Sequence, residues 1–242
     1  MIPKIIHYCW LSDEPIPYEF EQYIQGWEKK LADYKFIKWD LNRFDLNESV
    51  WVKESFESKK YAFACDYIRI YAVYHFGGIY MDMDMEVIRT FNDLLEKDSF
   101  FAYEDENKTG IEAGCFGCKK NDRFLAKCLD YYRNRHFIKS SGQYDEIPLP
   151  KIMKKILIEE KFELKIFDWD FFTAKSFETG IILVSPNTYT IHHFAGSWKS
   201  KEEKKRIYWS QKISAKFGII GRIMVKSYNF FSNPMKYIKR IL

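Results

Sequence analysis

The stretch "YAFACDYIRIYAVYHFGGIYMDMDME", residues 61–86, constrains the fold of this chain more than any other. Apolar residues recur at spacings of three and four up to Phe76, which predicts a helix, and Gly77 and Gly78 supply its C-terminal stop. The apolar run "IYM" that follows predicts a buried strand. A helix joined to a strand by two glycines is typical of an α/β domain.

Three acidic side chains, Asp82, Asp84 and Glu86, alternate with apolar residues directly after this strand. Because residues two apart on a strand share a face, the three carboxylates are expected to project the same way. Such a cluster needs a cation, hydrogen-bond donors or solvent to offset the repulsion between its charges. A D-x-D at the end of a strand can bind a divalent cation and leave positions for phosphate oxygens, and a solvated strand end is the plainer alternative.

Further strands and helices alternate along the chain. Short apolar runs predict strands at "PKIIHYCW", "YKFIKWD", "SFFAYED", "IEAGCFGC", "GIILVSP" and "TYTIHHF". Helices are predicted over residues 18–32, from a cap at Asn121 or Asp122 to about Arg135, and over 147–160. The pattern predicts an α/β fold with a mostly parallel central sheet flanked by helices, in which ligands bind at the carboxyl ends of the strands.

Five cysteines, an odd number, in a chain without a signal-peptide pattern favour reduced thiols and a cytoplasmic location. Cys115 and Cys118 have the CxxC spacing, but a zinc site needs four ligands and Cys128 alone does not complete one. We therefore expect these thiols to be buried. No window approaches the roughly 18 uninterrupted apolar residues of a spanning helix.

Charge is distributed unevenly along the chain. The whole sequence carries a net +4, but residues 199–242 hold twelve Lys and Arg residues against two acids, which leaves residues 1–198 with a net −6. This difference predicts an α/β domain over 1–198 and a basic helical extension over 199–242. One helical stripe of the extension is apolar and consists of Phe217, Ile220, Met224, Tyr228 and Phe231. A basic amphipathic helix can lie on an anionic membrane surface or dock on its own domain. Nucleic acid is not expected as a partner, because the positive charge lies in an appendage.

The predicted helix before the glycines carries two charged residues in an otherwise apolar sequence. Asp66 and Arg69 are three residues apart, so both project from one face. An intrahelical salt bridge would account for them. A guanidinium beside a carboxylate can equally bind sugar hydroxyls and phosphate, because it presents a fixed fork of donors.

Three blocks of the sequence, "IPKIIHYCW", "AFACDYIRIYAVYHFGGIYMDMDMEV" and "HHFAGSW", resemble glycosyltransferase family 32. These DXD-containing sugar-transferring proteins include bacterial capsule and lipopolysaccharide enzymes and are distantly similar to the catalytic domains of clostridial glucosylating toxins. The resemblance implies a GT-A fold over nearly all of residues 1–198 and a retaining, Mn²⁺- or Mg²⁺-dependent transfer from a nucleotide-diphosphate sugar, with a UDP-sugar favoured and a GDP-sugar possible. One departure is Cys65, where the family often has Ser.

The resemblance also implies a set of metal ligands. Asp84 would bind the ion directly, and Asp82 would contact ribose, sugar or metal-bound water. A later ligand would be His193, with His192 as the alternative. Because adjacent residues on a strand point to opposite faces, only one of the two histidines can serve easily.

The donor would be held by other residues of the same motifs. By the resemblance, Asp66 and Arg69 would bind the donor sugar and belong to the catalytic group with Asp82 and Asp84. His7 and Trp10 would lie along the nucleotide. Trp198 would close over the donor.

With this resemblance, the sequence predicts a hexosyltransferase whose acceptor is a lipid-linked saccharide. We expect the enzyme to act in bacterial capsule, exopolysaccharide or lipopolysaccharide assembly and to be peripheral at the inner face of the cell membrane. Asp66 and Glu112 are conceivable nucleophiles, although front-side attack requires neither. Two alternatives stay open at this point. One is a metal-dependent phosphotransferase or hydrolase that uses the same carboxylates, and the other is a non-enzymatic protein that binds membrane or nucleic acid through the basic extension.

Overall fold

The computed structural model describes residues 1–196 and 201–232. The chain divides into two compact units, Met1–Ala174 with Val184–Trp198 and Lys175–Leu183 with Lys199–Leu242. The predicted domain boundary after residue 198 stays a prediction. Among the described residues, no helix is long and apolar enough to cross a membrane.

The first unit is an α/β assembly. Its described strands are β1 (Ile5–Cys9), β2 (Lys35–Trp39), β3 (Gly78–Met81), β4 (Met85–Val87), β5 (Ser99–Ala102), β6 (Cys115–Cys118), β7 (Ile166–Phe167) and β8 (Thr190–His192). Its described helices are α1 (Tyr18–Lys30), α2 (Val50–Glu57), α3 (Tyr61–Phe76), α4 (Arg123–Tyr132) and α5 (Leu149–Glu159).

Six of the described strands form one sheet in the order β2-β1-β3-β6-β5-β7. Strand β1 pairs in parallel with β2 and β3, and β7 pairs in parallel with β5. Strand β6 is antiparallel to both of its neighbours, β3 and β5. Every strand of this sheet except β6 therefore runs in the same direction, which confirms the predicted α/β fold with a mostly parallel central sheet.

Both faces of the sheet are covered by apolar residues, as buried strands require. In β3, Ile79 and Met81 belong to a core cluster that includes Trp27 of α1. Tyr80, which points to the other face, belongs to a second cluster with Ile68 of α3. The central strand thus lies between two helical layers.

The junction between α3 and β3 has the bounds that the sequence predicted. The N–H of Gly77, at a φ of +65°, donates to the carbonyl of Val73 over 2.8 Å and ends the helix. Gly78 has a φ of +107°, and a Cβ there would lie 2.6 Å from the Ile5 carbonyl oxygen. Glycine at this position lets β3 begin in close contact with β1.

The acidic alternation after β3 is not one continuous strand. Strand β3 ends at Met81, and the chain turns so that the N–H of Met85 donates to the carbonyl of Asp82 over 3.1 Å. The expectation that Glu86 shares a face with the two aspartates is therefore wrong, because the turn interrupts the alternation of the strand.

A second, two-stranded sheet joins β4 to β8 in antiparallel orientation, with Met85 opposite His192. Helix α1 secures β4 through two hydrogen bonds. Trp27 Nε1 donates to the Met85 carbonyl over 2.7 Å, and Lys30 Nζ donates to the Val87 carbonyl over 2.6 Å. This small sheet brings the late histidine of β8 beside the turn that follows β3.

Three other elements differ from the expectations. The segment "GIILVSP" was expected to form a strand, but it contributes only an isolated bridge between Lys175 and Ile182, and its apolar side chains are exposed. Helix α2 and strand β7 were not predicted, because each is too short for a clear period in the sequence. The cysteines of the CxxC pair are buried in different core clusters, so they cannot share a metal ion.

The described part of the basic extension is a helix, α6 (Lys201–Ser232), with a non-helical Gly218 at φ +55° and ψ −131°. The predicted apolar stripe is therefore not continuous, because Gly218 breaks the helix between Phe217 and Ile220. From Met224 onward the stripe falls on side chains outside the described ones.

Replacing Gly78 with Ala is expected to destabilise the fold by roughly 2–4 kcal/mol, because strain at positive φ adds to the contact with the Ile5 carbonyl. Gly142→Ala is the matched control, since Gly142 has a φ of +76° but nothing within 4 Å of an added Cβ. It should cost only about 1–2 kcal/mol. Urea unfolding of both variants measures the difference, and equal losses would show that the contact with Ile5 contributes nothing.

Candidate metal and donor site

Several polar residues meet at the carboxyl edge of the central sheet. Trp10 follows β1 and Asp82 follows β3, and these parallel strands end at the same edge. Glu112 and Gly114 precede β6, which runs in the opposite direction and therefore starts at this edge. The backbone joins the two sides directly, since the N–H of Asp82 donates to the Gly114 carbonyl over 2.8 Å.

Asp82, Asp84 and His192 form a three-residue cluster here. Each offers one potential metal-ligating atom, and these atoms all lie within 4.8 Å of one another. The Nε2 atom of His192 is 3.5 Å from Oδ1 of Asp84. Two carboxylates and one imidazole form a donor set that suits Mn²⁺, whereas Mg²⁺ prefers oxygen ligands.

The position of Asp84 is fixed by the chain that follows β8. The N–H of Ala195 donates to Oδ2 of Asp84 over 2.7 Å, and the N–H of His193 donates to the Asp84 carbonyl over 3.0 Å. Burial disfavours its charge, but the His192 imidazolium and the Ala195 N–H outweigh burial and lower the pKa of Asp84 to about 2. Asp84 is therefore ionised throughout the physiological pH range.

Asp82 is held by a buried arginine and a tyrosine. Arg69 Nη1 donates to Oδ2 of Asp82 over 3.2 Å, and the Tyr80 hydroxyl donates to Oδ1 over 2.8 Å. Arg69 Nη1 also donates to the Ala113 carbonyl over 2.8 Å, and its Cζ lies 4.7 Å from the centroid of the Tyr80 ring. The guanidinium is thus enclosed between α3 and the sheet edge.

Arg69 also pairs with Asp66 within α3. Its Nη2 lies 3.4 Å from Oδ1 of Asp66, whose Oδ2 accepts a hydrogen bond from the Leu149 N–H over 3.3 Å. Burial raises the pKa of Asp66 to about 6, with the Arg69 charge opposing this rise and the Asp82 charge adding to it. The intrahelical pair expected from the sequence exists, and it extends across to the D-x-D turn.

Glu112 lies behind His192. The N–H of Gly114 donates to Oε1 of Glu112 over 2.6 Å, and the Thr173 hydroxyl donates to Oε2 over 2.7 Å. His192 Nδ1 lies 3.3 Å from the same Oε1, and it has no well-directed hydrogen bond among the described residues. From the sequence, Glu112 is expected only as a conceivable nucleophile, and no periodicity in "IEAGC" indicates its contact with the histidine.

Between two carboxylates, His192 favours its charged form in the absence of a cation. Burial disfavours the charge, but Asp84 and Glu112 outweigh burial and raise the pKa of His192 well above 6.5. A bound cation and this proton therefore compete for the same carboxylate neighbourhood.

The absence of a side chain at Gly114 lets the polar side chains of the site approach one another. A Cβ there would lie 2.8 Å from Glu112 Oε1, 2.9 Å from His192 Cε1 and 3.0 Å from Asp82 Oδ2. The side chains of Glu112, His192 and Asp82 therefore converge at Gly114. The residues fit a divalent cation.

His193, the ligand preferred from the sequence, does not join this cluster. Its Nε2 lies 2.9 Å from Oε2 of Glu86, and its ring stacks on Tyr23 with centroids 4.9 Å apart. The physical reason is the alternation of side chains along the strand, which directs His192 and His193 to opposite sides. The alternative, His192, replaces His193 in the candidate site.

His7 is also not available to a ligand. Its side chain is fully buried, its Nδ1 accepts from Trp39 Nε1 over 3.1 Å, and its Nε2 donates to the Gly77 carbonyl over 2.8 Å. Burial lowers the pKa of His7 to about 4. Both ring nitrogens are used inside the core, so the prediction that His7 contacts the nucleotide is wrong.

Of the two tryptophans expected to contact the donor, the structure describes only Trp10. Trp10 lies at the carboxyl edge, half-buried, with Nε1 donating to the Glu14 carbonyl over 2.7 Å and its ring against Phe20. Its contact with a base stays a prediction. Trp198 lies outside the described residues.

Gly114→Ala is expected to weaken Mn²⁺ binding by roughly tenfold or more, because its methyl group displaces the groups that orient the ligands. Gly26→Ala is the control, since an added Cβ at Gly26 has nothing within 4 Å. Titration followed by Mn²⁺ electron paramagnetic resonance measures the affinities, and circular dichroism checks the fold. Unchanged affinity in folded Gly114→Ala would show that the site does not need glycine at this position.

Comparison with known proteins agrees with this geometry. Residues 17–101 match the family model of the glycosyltransferase sugar-binding region containing a DXD motif. The matched stretch contains α3, β3, Asp82 and Asp84. It ends before Glu112 and His192, which the structure adds to the site.

Curated relatives are similar over the same part of the chain. The mannosyl phosphorylinositol ceramide synthase CSH1 of Saccharomyces cerevisiae is 30% identical over 148 residues, which are 57% of this chain and 38% of that protein. The inositol phosphoceramide mannosyltransferase 3 of Schizosaccharomyces pombe is 27% identical over 156 residues, which are 61% of this chain and 43% of that protein. The chain thus spans less than half the length of either relative.

Among solved structures, the PaToxG glycosyltransferase is similar with a TM-score of 0.53 and 20% identity, over 66% of this chain and 69% of that one. This likeness confirms the GT-A type of α/β fold. Together with the motif match, it confirms the resemblance seen in the sequence. Residues 17–101 of this chain are therefore similar to the sugar-binding region of the DXD-containing glycosyltransferases.

Proposed function

We propose that this protein is a metal-dependent glycosyltransferase that moves a hexose from a nucleotide-diphosphate sugar to a hydroxyl of a lipid-linked acceptor, with retention at the anomeric carbon. The observation that carries the proposal is the convergence of Asp82, Asp84 and His192 at the carboxyl edge of the sheet, with both aspartates inside the matched DXD region. Ligands of α/β sheets bind at this edge.

The residues of the site divide into ligands and residues that position them. Mn²⁺ or Mg²⁺ held by Asp82, Asp84 and His192 would offset the negative charge of the leaving diphosphate. Arg69 orients Asp82, since its guanidinium N–H groups donate to the Asp82 carboxylate and to the Ala113 carbonyl. This role differs from the direct donor contact that the resemblance implied for Arg69.

Retention in this site requires no enzyme nucleophile. Glu112 is 3% exposed and accepts hydrogen bonds from Gly114 and Thr173. Asp66 is 9% exposed and is paired with Arg69 and the Leu149 N–H. Because both conceivable nucleophiles are engaged, their geometry supports front-side attack by the acceptor hydroxyl, with the leaving phosphate oxygen taking its proton.

The acceptor class rests on the relatives. The names of the two yeast proteins refer to mannose and to an inositol phosphoceramide, which is a lipid with a polar headgroup. They support a hexose as the transferred group and a lipid-linked hydroxyl as the acceptor. A role in bacterial capsule, exopolysaccharide or lipopolysaccharide assembly stays a prediction without support from these relatives.

The donor is best identified by a thermal-shift panel of UDP-, GDP- and CDP-sugars with and without Mn²⁺. We expect one nucleotide class to raise the melting temperature only when Mn²⁺ is present, because a cation held by the cluster would offset the charge of the diphosphate beside its carboxylates. Asp84→Asn, which keeps the shape of the side chain but removes its charge, should abolish this shift. Transfer of radiolabelled sugar to a lipid extract then tests the reaction itself.

Two results would contradict the proposal. If no nucleotide sugar stabilised the protein at saturating concentration, the cluster of Asp82, Asp84 and His192 would not be a donor site. Release of inorganic phosphate with no sugar transfer would favour a metal-dependent phosphotransferase or hydrolase that uses the same carboxylates.

The two adjacent histidines provide a matched pair of variants. His192→Asn is expected to weaken Mn²⁺ binding by more than about tenfold, whereas His193→Asn should leave it nearly unchanged, because only His192 faces the carboxylates. Calorimetric titration of both variants measures the difference. Equal losses in the two variants would contradict the assignment of His192.

If His192 is a ligand, the affinity for Mn²⁺ should depend on pH. The pKa of His192 is raised well above 6.5, and the imidazole must lose its proton to bind a cation. Mn²⁺ affinity should therefore increase as the pH rises from 6.5, and it should increase less steeply in His192→Asn. An affinity of the wild type that does not change with pH would show that this proton does not compete with the ion.

A further inference from the structure

The first half of α6 presents an unusual exposed face. At about 100° per residue, six residues fall within an arc of about 100° on this helix. We name them the lysine–aromatic face; they are Lys201, Lys205, Tyr208, Trp209, Lys212 and Lys216. All six are exposed, and the two acids of this part of the helix, Glu202 and Glu203, lie outside the arc.

The two aromatic residues of this face are neither buried nor isolated. Tyr208 and Trp209 are each 51% exposed, and their rings meet edge to face with centroids 5.8 Å apart. Lys212 Nζ lies 4.9 Å from the Tyr208 ring centroid and 5.7 Å from that of Trp209. The ammonium group and the two rings thus form one contiguous cationic and aromatic surface.

The other side of the same helix is the packed one. Gln211 Nε2 donates to the Phe177 carbonyl over 2.9 Å, which ties the helix to the hairpin of its own unit, Lys175–Leu183. Ser214 is only 3% exposed. If α6 served only to pack on protein, Tyr208 and Trp209 would be expected on this packed side, where burial of their rings is favourable.

We propose that the lysine–aromatic face of α6 binds the surface of a bilayer that contains anionic lipids. Lysines are attracted to the negative potential of such a surface, and the amphipathic rings of Tyr and Trp are favoured at the level of the headgroups. The charge of the face is complementary to this partner, since it holds four lysines and no acid. The proposal rests on the proposed function in one respect, because a lipid-linked acceptor is found at a membrane.

Exposed apolar residues elsewhere in the same unit, outside the lysine–aromatic face, favour a lipid surface over a nucleic acid. The same unit exposes Ile181, Ile182 and Leu183 in its hairpin, at 45%, 43% and 54%, and Ile220 in the helix at 68%. Aliphatic side chains gain by entering the apolar part of a bilayer, whereas they offer neither stacking nor hydrogen bonds to bases. RNA is therefore the competing partner that the experiment must exclude.

Vesicle co-sedimentation of the full chain tests the proposal. The probes are vesicles of phosphatidylcholine with and without phosphatidylglycerol, and a single-stranded RNA examined by fluorescence anisotropy. We expect binding to the anionic vesicles that weakens as salt is added, weak binding to the neutral vesicles, and weaker binding to RNA than to the anionic vesicles.

Variants separate the contribution of the face from that of net charge. Lys205→Gln/Lys212→Gln should weaken binding to anionic vesicles by about thirtyfold. The control Lys29→Gln/Lys53→Gln removes the same charge from exposed lysines elsewhere and should bind as the wild type does. Trp209→Ala should weaken the binding that remains at high salt, where the ring contributes most.

Three outcomes would overturn the proposal. They are equal losses in the two lysine double variants, failure of the wild type to bind anionic vesicles, and tighter binding to RNA than to vesicles. Asp84→Asn should bind vesicles as the wild type does, because the cluster at the sheet edge has no part in this contact. Failure of the transferase function and failure of membrane binding are therefore observed separately.

Discussion

The site depends on the ion pairs and hydrogen bonds of the buried Arg69 guanidinium. It joins α3, the end of β3 and the segment before β6 through Asp66, Asp82 and the Ala113 carbonyl. A buried charge is tolerated only when it is paired and hydrogen-bonded. Its partners are buried too, and each would likewise destabilise the fold if it lost its pair. The acidic edge of the sheet can therefore be assembled before any cation binds, because one internal cation already offsets part of its charge.

A second constraint is the pairing of β4 with β8, which places His192 opposite Met85. This register completes the candidate ligand set with a residue that is far along the chain from the D-x-D turn. Glu112, which accepts a hydrogen bond from the Thr173 hydroxyl, lies beside the Nδ1 atom of His192, on the side of the ring that faces away from Asp84. A carboxylate behind a metal-ligating histidine fixes its orientation and raises its basicity, so the function proposed here depends on these supporting residues as much as on the ligands.

Local patterns predicted those parts of the molecule whose structure depends on local forces. The helical period up to Phe76 and the two glycines after it specified α3 and the start of β3, since periodicity and left-handed φ are properties of short stretches. His7 was placed wrongly because a strand buried on both faces carries no alternation of polar and apolar residues that would show which face is open. Glu112 carried no signal for the role that it has, because its partners His192 and Thr173 come from distant parts of the chain.

By itself, the sequence determined the α/β class, the D-x-D pair at the end of a buried strand and the family to which its motifs are similar. It also determined that only one of two adjacent histidines could share a side with the carboxylates, because side chains alternate along a strand. Only the tertiary structure decided that this residue is His192, since the choice depends on strand register between distant segments. The tertiary structure likewise decided which side of α6 is packed, because the period of a helix shows its faces but not which of them a neighbour covers.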